Sequence, residues 1–292
     1  MPPFAGHVAR RCQSALNTFH SLTYFSPDLD KQLAGLGVGD PMACYLAGRA
    51  AALGRVGPGV VTAAFYSFRH DLVARHVPAV WDLVSPQQAW AGRVAAADST
   101  LSRLLGPDVL RSRPVEEAAR LVLRAAEGAQ RPGRPMYAAH ADMPAPPAPH
   151  LSLWYGATLL REHRGDSHVA VLRARDLDGL EALVSHCASE AGMPREIVMA
   201  KRGWTEEDWR AAEERLRGRG LMAADGSLTR QGRTMRADLE EATDRADAAP
   251  YRHLGQEGVV ELTAYVEELV RAAIEAGGIP APLAGFFAPP ER

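Results

Sequence analysis

Lysine is nearly missing from this 292-residue chain, whose 33 basic residues are 31 arginines and only two lysines, Lys31 and Lys201. Neither lysine follows a glycine, so the phosphate-loop pattern G-x-x-x-x-G-K-[ST] is absent and loop-type nucleotide hydrolases are excluded. The patterns G-x-G-x-x-G, G-x-S-x-G and H-E-x-x-H are missing too, which removes dinucleotide-binding dehydrogenases, α/β-hydrolases and zincins. Cysteine is scarce: Cys12, Cys44 and Cys187 are far apart, odd in number and set among apolar neighbours, a pattern of reduced thiols and not of disulfides or a zinc cluster. No long apolar run is present. The most apolar stretch, residues 57–68, has the length of a core helix, so no membrane partner is expected. Residues 1–12 carry no apolar targeting segment, and a cytoplasmic location is expected.

What remains is the composition of a folded globular protein, 47% apolar and 23% charged with a net charge of −2. Its 51 alanines, with the arginine excess, point to a GC-rich, actinobacterium-like source. The length predicts two domains or one large helical body. Residues 1–150 carry 15 basic and 11 acidic groups and residues 151–292 carry 18 and 24, so neither half is a strong polyanion binder.

Nearly every segment reads as helix. Val8, Cys12, Leu16 and Phe19 form a 3.6-period stripe; Asp40-Pro41 and Ser85-Pro86 are cap-and-proline helix starts; Pro114 opens another helix to about Gly128. A single helix is predicted over 60–77. The proline-rich stretch 131–150 predicts an extended crossover between an N-terminal helical domain, 1–130, and a C-terminal one, 151–292. Beyond it a helix is predicted from Leu151 to His163, a turn at Arg164-Gly165-Asp166, further helices to about 190, and a loop over 191–203. Thr205 to Arg219 is helical, and Asp225-Gly226 centres a short β-hairpin. Echoes between Trp81/Trp90 and Trp204/Trp209 suggest two halves on one plan, the product of an internal duplication.

The stretch RGWTEEDWRAAEERLRGRGLMAADGSLTRQGRTMR, residues 202–236, resembles the winged-helix core of MarR-like regulators, with the Asp225-Gly226 hairpin as wing. The whole chain is also similar to an actinobacterial family of helix-turn-helix proteins, through FHSLTYF, YLAGRAAALG and LLREHRGDSH. That resemblance implies an all-α fold with a short wing and no particular activity. In a DNA-reading winged helix the start of the recognition helix meets base edges; here it would be Thr205-Glu206-Glu207-Asp208, whose carboxylates have the wrong sign for the phosphate field. Residues 201–249 hold 10 basic and 11 acidic groups, which argues against nucleic acid as a partner.

Two constellations can carry chemistry. Within Arg161 to His168, the residues His163, Arg164, Asp166 and His168 offer imidazoles for proton transfer, a carboxylate to orient one, and a guanidinium for an oxyanion, without cofactor or metal. The same residues also serve as helix punctuation, with Gly165 as terminator and Asp166 as the next N-cap. The second set, His20, Tyr24, Tyr45, Arg49, Phe65, Tyr66 and Phe68, completed by His140 and Trp154, has the aromatic walls and few polar tips of a pocket for an apolar or aromatic small molecule with an anionic group. The leading expectation is therefore a small-molecule protein on a winged-helix scaffold: a cofactor-independent acid–base enzyme such as a cyclase, lyase, isomerase or hydrolase. The alternative is a MarR-like, ligand-responsive, homodimeric transcription regulator; a third class is a non-catalytic binding protein.

Overall fold

The computed structural model describes residues 6–190 and 192–288. Among them the chain is all-α, and it divides into two compact units made of interleaved segments. Unit 1 takes the described residues up to Arg55, then Val80–Asp166, then those from Asp247 on; unit 2 takes Val56–Ala79 and Ser167–Ala246. The expected division at 131–150 cuts the chain once, whereas the units exchange the chain four times.

Along the sequence, α1 (Gly6–Ser21), α2 (Asp28–Ala34) and α3 (Pro41–Ala50) belong to unit 1, with short 3-10 turns at Leu22–Phe25 and Ala51–Leu53. Helices α4 (Pro58–Phe65) and α5 (His70–His76) belong to unit 2. Unit 1 resumes with α6 (Val80–Leu83), α7 (Pro86–Leu110), α8 (Arg113–Glu127), α9 (Pro135–Ala141) and most of α10 (Pro149–Arg173). Unit 2 holds α11 (Gly179–Cys187), α12 (Arg195–Arg202), α13 (Glu206–Gly218) and the first two-thirds of α14 (Arg230–Leu254), and the chain ends in α15 (Gln256–Glu275) and α16 (Ala281–Phe287) of unit 1.

The starts of these helices follow side-chain chemistry legible in the sequence. Asp40 accepts from the Ala43 N–H at 2.9 Å ahead of Pro41, and Ser85 with Gln88 forms a reciprocal capping box ahead of Pro86. In unit 1, α1 lies along α15, while α2 and α3 pack on α7. The stripe Cys12, Leu16 and Phe19 that defines α1 is buried. In unit 2, Leu180, Trp209, Leu216, Leu221, Leu228 and Leu239 share one apolar core.

Four expectations are corrected. The helix predicted over 60–77 breaks at Tyr66, whose φ of 57° is left-handed, and the chain restarts at His70. The stretch 131–150 is not simply extended, because Pro135 takes the first position of α9, where its missing N–H costs nothing. Residues 195–202 of the predicted loop are helical. The hairpin wing is not a β-hairpin: Met222 and Leu228 make one isolated antiparallel bridge, and no strand occurs among the described residues. The Asp225-Gly226 turn itself is present, closed by Ala223 N–H donating to Ser227 O at 2.8 Å.

Helix α11 gives a direct check on unit 2. Its cap, Asp178, accepts from Leu180 N–H at 2.9 Å and Glu181 N–H at 2.7 Å and receives Arg215 at 2.7 Å. Losing such a cap costs about 1 kcal/mol. Asp178→Ala is expected to lower the unfolding free energy by that amount, read as a lower urea midpoint with the slope unchanged; no change in midpoint would show that Glu181 and Arg215 hold the helix start without it.

Candidate functional site

Two sites follow from these elements, a buried polar cluster in unit 1 and a helix-turn-helix face in unit 2.

The Arg161 to His168 segment lies inside one continuous helix. Gly165 does not end α10 and Asp166 does not cap a new helix, so the punctuation reading is corrected. Helical spacing then fans the side chains out. Glu162 faces two guanidiniums, accepting from Arg49 Nη2 at 3.0 Å and Arg161 Nη1 at 3.2 Å. His163 Nδ1 lies 2.6 Å from Asp247 Oδ1 on α14, both side chains buried, with Arg164 4.0 Å from the other oxygen of that carboxylate. The partner that orients His163 is thus Asp247, a residue the sequence reading passed over, and not Asp166. Asp166 accepts the Tyr137 N–H at 2.9 Å. His168 falls within unit 2, where Nδ1 meets Thr243 Oγ1 at 2.9 Å.

Of the expected binding residues, His20, Tyr24, Tyr45, Arg49, His140 and Trp154 come together in unit 1. Phe65, Tyr66 and Phe68 lie in unit 2, where Phe65 and Phe68 meet edge to face at 5.6 Å, Arg202 sits over Phe68, and the Tyr66 hydroxyl donates to Leu177 O. The centre of the unit 1 cluster is Arg93 on α7, which sequence reasoning missed. Its guanidinium is buried, and it donates to His140 Nε2 and His20 Nε2 at 3.1 Å each, to the Tyr24 hydroxyl at 3.2 Å and to Gly48 O at 3.4 Å. It lies 5.2 Å from the Trp154 ring and 5.8 Å from Trp90. A signal was present: Ala89, Arg93, Ala96, Ala97 and Thr100 fall on one buried helical stripe, where a lone arginine is conspicuous.

The electrostatics follow from this packing. Arginine only donates, so both imidazoles must accept through Nε2 and carry their proton on Nδ1. Burial, with Arg93 adding repulsion, lowers His140 to about 4; burial, Arg161 and Arg93 push His20 well below the ordinary histidine value. Burial favours a neutral Glu162, but Arg49 and Arg161 outweigh it and hold that carboxyl well below the usual range. Burial raises Asp166 to about 6 against the Tyr137 N–H, and the nearby Glu162 charge adds to the rise. Burial also raises Asp247, opposed by its bond to His163.

In unit 2, α12 and α13 are joined by Gly203, whose φ of 76° is the left-handed turn conformation and whose added Cβ would sit 2.8 Å from Leu72. Thr205 caps α13 in a reciprocal box with Asp208, and Trp204 Nε1 anchors the turn on Ser67 O at 2.9 Å. The arginines around α13 are engaged inside the module: Arg195 with Glu206, Arg215 with Asp178 and Glu181, Arg217 with Glu213 and Glu214, and Arg219 with Glu181. Glu206 and Glu207 are exposed at the helix start.

Two helices joined by a tight left-handed glycine turn, packed on α11 within an all-α chain, are the anatomy of a helix-turn-helix protein. The chain belongs to a helix-turn-helix family, whose profile matches residues 9–280. No curated protein and no solved structure matches it. Family membership revises the expectation that nucleic acid is not a partner; it brings no feature specific to MarR-like proteins, to an actinobacterial source or to an enzyme. No described helix is long and apolar enough to cross a membrane.

Proposed function

We propose that the protein is a ligand-responsive helix-turn-helix regulator that binds DNA through unit 2 and a small molecule through unit 1. The observation that carries this reading is the α12–Gly203–α13 arrangement in a chain matched to a helix-turn-helix family over nearly its whole length. In its MarR-like form the regulator acts as a homodimer. The carboxylates at the start of α13 make it a weak reader at that end, and its phosphate contacts come from arginines that exchange internal partners for DNA. Such exchange leaves a salt dependence, because each neutralised phosphate releases counterions.

The test is fluorescence anisotropy with duplex DNA from upstream of the protein's own gene, at several salt concentrations. Saturable, salt-sensitive binding is expected, and removing two negative charges with Glu206→Gln/Glu207→Gln is expected to tighten it by roughly tenfold. Absence of saturable binding at low salt, in wild type and double variant alike, overturns the regulator reading. A second reading, a cofactor-independent acid–base enzyme, is favoured by one observation: the buried His163–Asp247 pair, in which a carboxylate fixes an imidazole as proton-transfer sites require.

A further inference from the structure

Three guanidiniums converge on the unit 1 cluster, those of Arg49, Arg93 and Arg161, and Glu162 pairs two of them. Arg93 has no carboxylate within 4.0 Å among the described residues; its four partners are two neutral imidazoles, a phenol and a carbonyl. Counting Glu162 alone the cluster has two positive charges in excess, and counting an ionised Asp166 as well it still has one. Burying a guanidinium without a counter-charge is costly, and structures normally avoid it.

The donors are in excess as well. With Nε2 of His20 accepting from Arg93, its Nδ1 carries a hydrogen, and this atom is buried without a hydrogen-bond partner. Trp154 Nε1, a donor by its chemistry, is buried and unpartnered too. The two rings are stacked with centroids 5.5 Å apart and planes 10° from parallel. An acceptor, and a negative one, is what this group of atoms lacks. Around it the walls are aromatic: Tyr24 is edge-on to His20 at 5.3 Å, and Tyr45 is 5.5 Å from Tyr24.

The members of the cluster differ in exposure. His20, His140 and Arg93 are buried, whereas Tyr24 and Tyr45 are half-buried and Arg49 and Arg161 keep 14% and 24% of their side-chain surface. Among the side chains that bond Arg93, only Tyr24 reaches solvent. Swinging its hydroxyl aside opens one edge of the guanidinium.

We propose that Arg93 is the anchor of a binding site for a small organic carboxylate with a planar apolar body, which replaces the Tyr24 hydroxyl on the guanidinium and lies against the Tyr24 and Tyr45 rings. The carboxylate supplies the missing charge and two acceptor oxygens, and guanidinium–carboxylate pairing is bidentate by geometry. A planar body suits rings that stack; inorganic phosphate satisfies the charge and wastes the apolar wall. This proposal deepens the reading of unit 1 as the ligand-binding half and does not depend on whether unit 2 binds DNA.

The probe is benzoate, titrated calorimetrically into the full-length chain, with benzamide as its neutral isostere and inorganic phosphate as the anion without a ring. Saturable benzoate binding is expected, at least tenfold tighter than benzamide or phosphate. Arg93→Gln is expected to abolish the preference for benzoate over benzamide, and Arg93→Lys, which keeps the charge without the fork, to retain part of it. Should Arg93→Gln fail to fold, Tyr24→Phe serves instead: it removes the hydroxyl the ligand displaces and is expected to tighten benzoate several-fold. Equal binding of benzoate and benzamide, or no saturation by benzoate at millimolar concentration, overturns the proposal. DNA binding measured on the same preparation separates the two readings, since either result can fail while the other holds.

Discussion

Glu162→Gln is expected to cost about 3 kcal/mol of unfolding free energy, the scale for removing one partner from a buried ion pair. The carboxylate is 1% exposed and bridges Arg49 and Arg161, so the amide leaves a half-buried and a largely buried guanidinium facing a group with one acceptor and no charge. Arg93 enlarges the effect, because it has no carboxylate of its own and shares the same pocket of charge. Some of the loss is recovered as Arg161, still hydrogen-bonded to Asn17 at 2.9 Å, turns toward water. Urea denaturation followed by far-UV circular dichroism measures the change. Saturating benzoate is expected to restore part of the lost stability in Glu162→Gln, since ligand binding to the native state stabilises by mass action and the variant cluster is one charge more positive. A loss under about 0.5 kcal/mol, the range of an ordinary surface substitution, would show that Glu162 does not balance the cluster.

The parts of this molecule that a reader of the sequence recovers are those fixed by local chemistry. Asp40-Pro41, Ser85-Pro86 with Gln88, and Thr205 with Asp208 each start a helix where the pattern says, because the cap satisfies N–H groups that have no other partner. The parts that escape are set by packing. Arg164-Gly165-Asp166 has the composition of a helix break, yet a glycine inside a helix costs only about 1 kcal/mol, and the burial of apolar Leu160 and Leu172 on either side of it outweighs that. Once the helix runs on, His163 bonds Asp247, Asp166 accepts from the Tyr137 N–H and His168 meets Thr243, so the residues that look like one acid–base cluster in sequence each take a separate partner. Six of the nine expected binding residues do meet, because His20 and Tyr24, like Tyr45 and Arg49, are four apart on a helical turn and face the same core. Arg93 and Asp247 were hidden for a shared reason: their partners lie on other helices, and only the tertiary fold brings them together.

Unit 1 is expected to lose stability as the pH falls from about 6.5 to 4, and His140 is the main cause. In the fold it is held neutral down to about 4, against an ordinary value of 6.5, because it is buried and accepts from Arg93. A group whose folded value is depressed gives stability that is complete above its unfolded value and is lost as pH falls through the folded one; for this gap the loss is roughly 3 kcal/mol. His20, pushed down by burial and by Arg161 and Arg93, acts in the same direction. Asp166 acts oppositely: its folded value of about 6 lies above the ordinary 3.8, so the native state takes up its proton first and gains stability as pH falls through that range. Glu162, held low, costs stability only below the ordinary carboxyl range. Asp247, whose folded value burial also raises, acts with Asp166, so the net loss expected between 6.5 and 4 rests on the two imidazoles outweighing the two carboxyls. His140→Gln keeps an acceptor for Arg93 without a titrating proton, and its stability, followed by urea denaturation at stepped pH, is expected to fall with about half the wild-type slope; Asp166→Asn, which removes the compensating group, is expected to steepen it. If His140→Gln matches the wild-type slope, the imidazole is not the neutral acceptor on which the placement of Arg93 rests, and the guanidinium must be held by some other arrangement of the same residues.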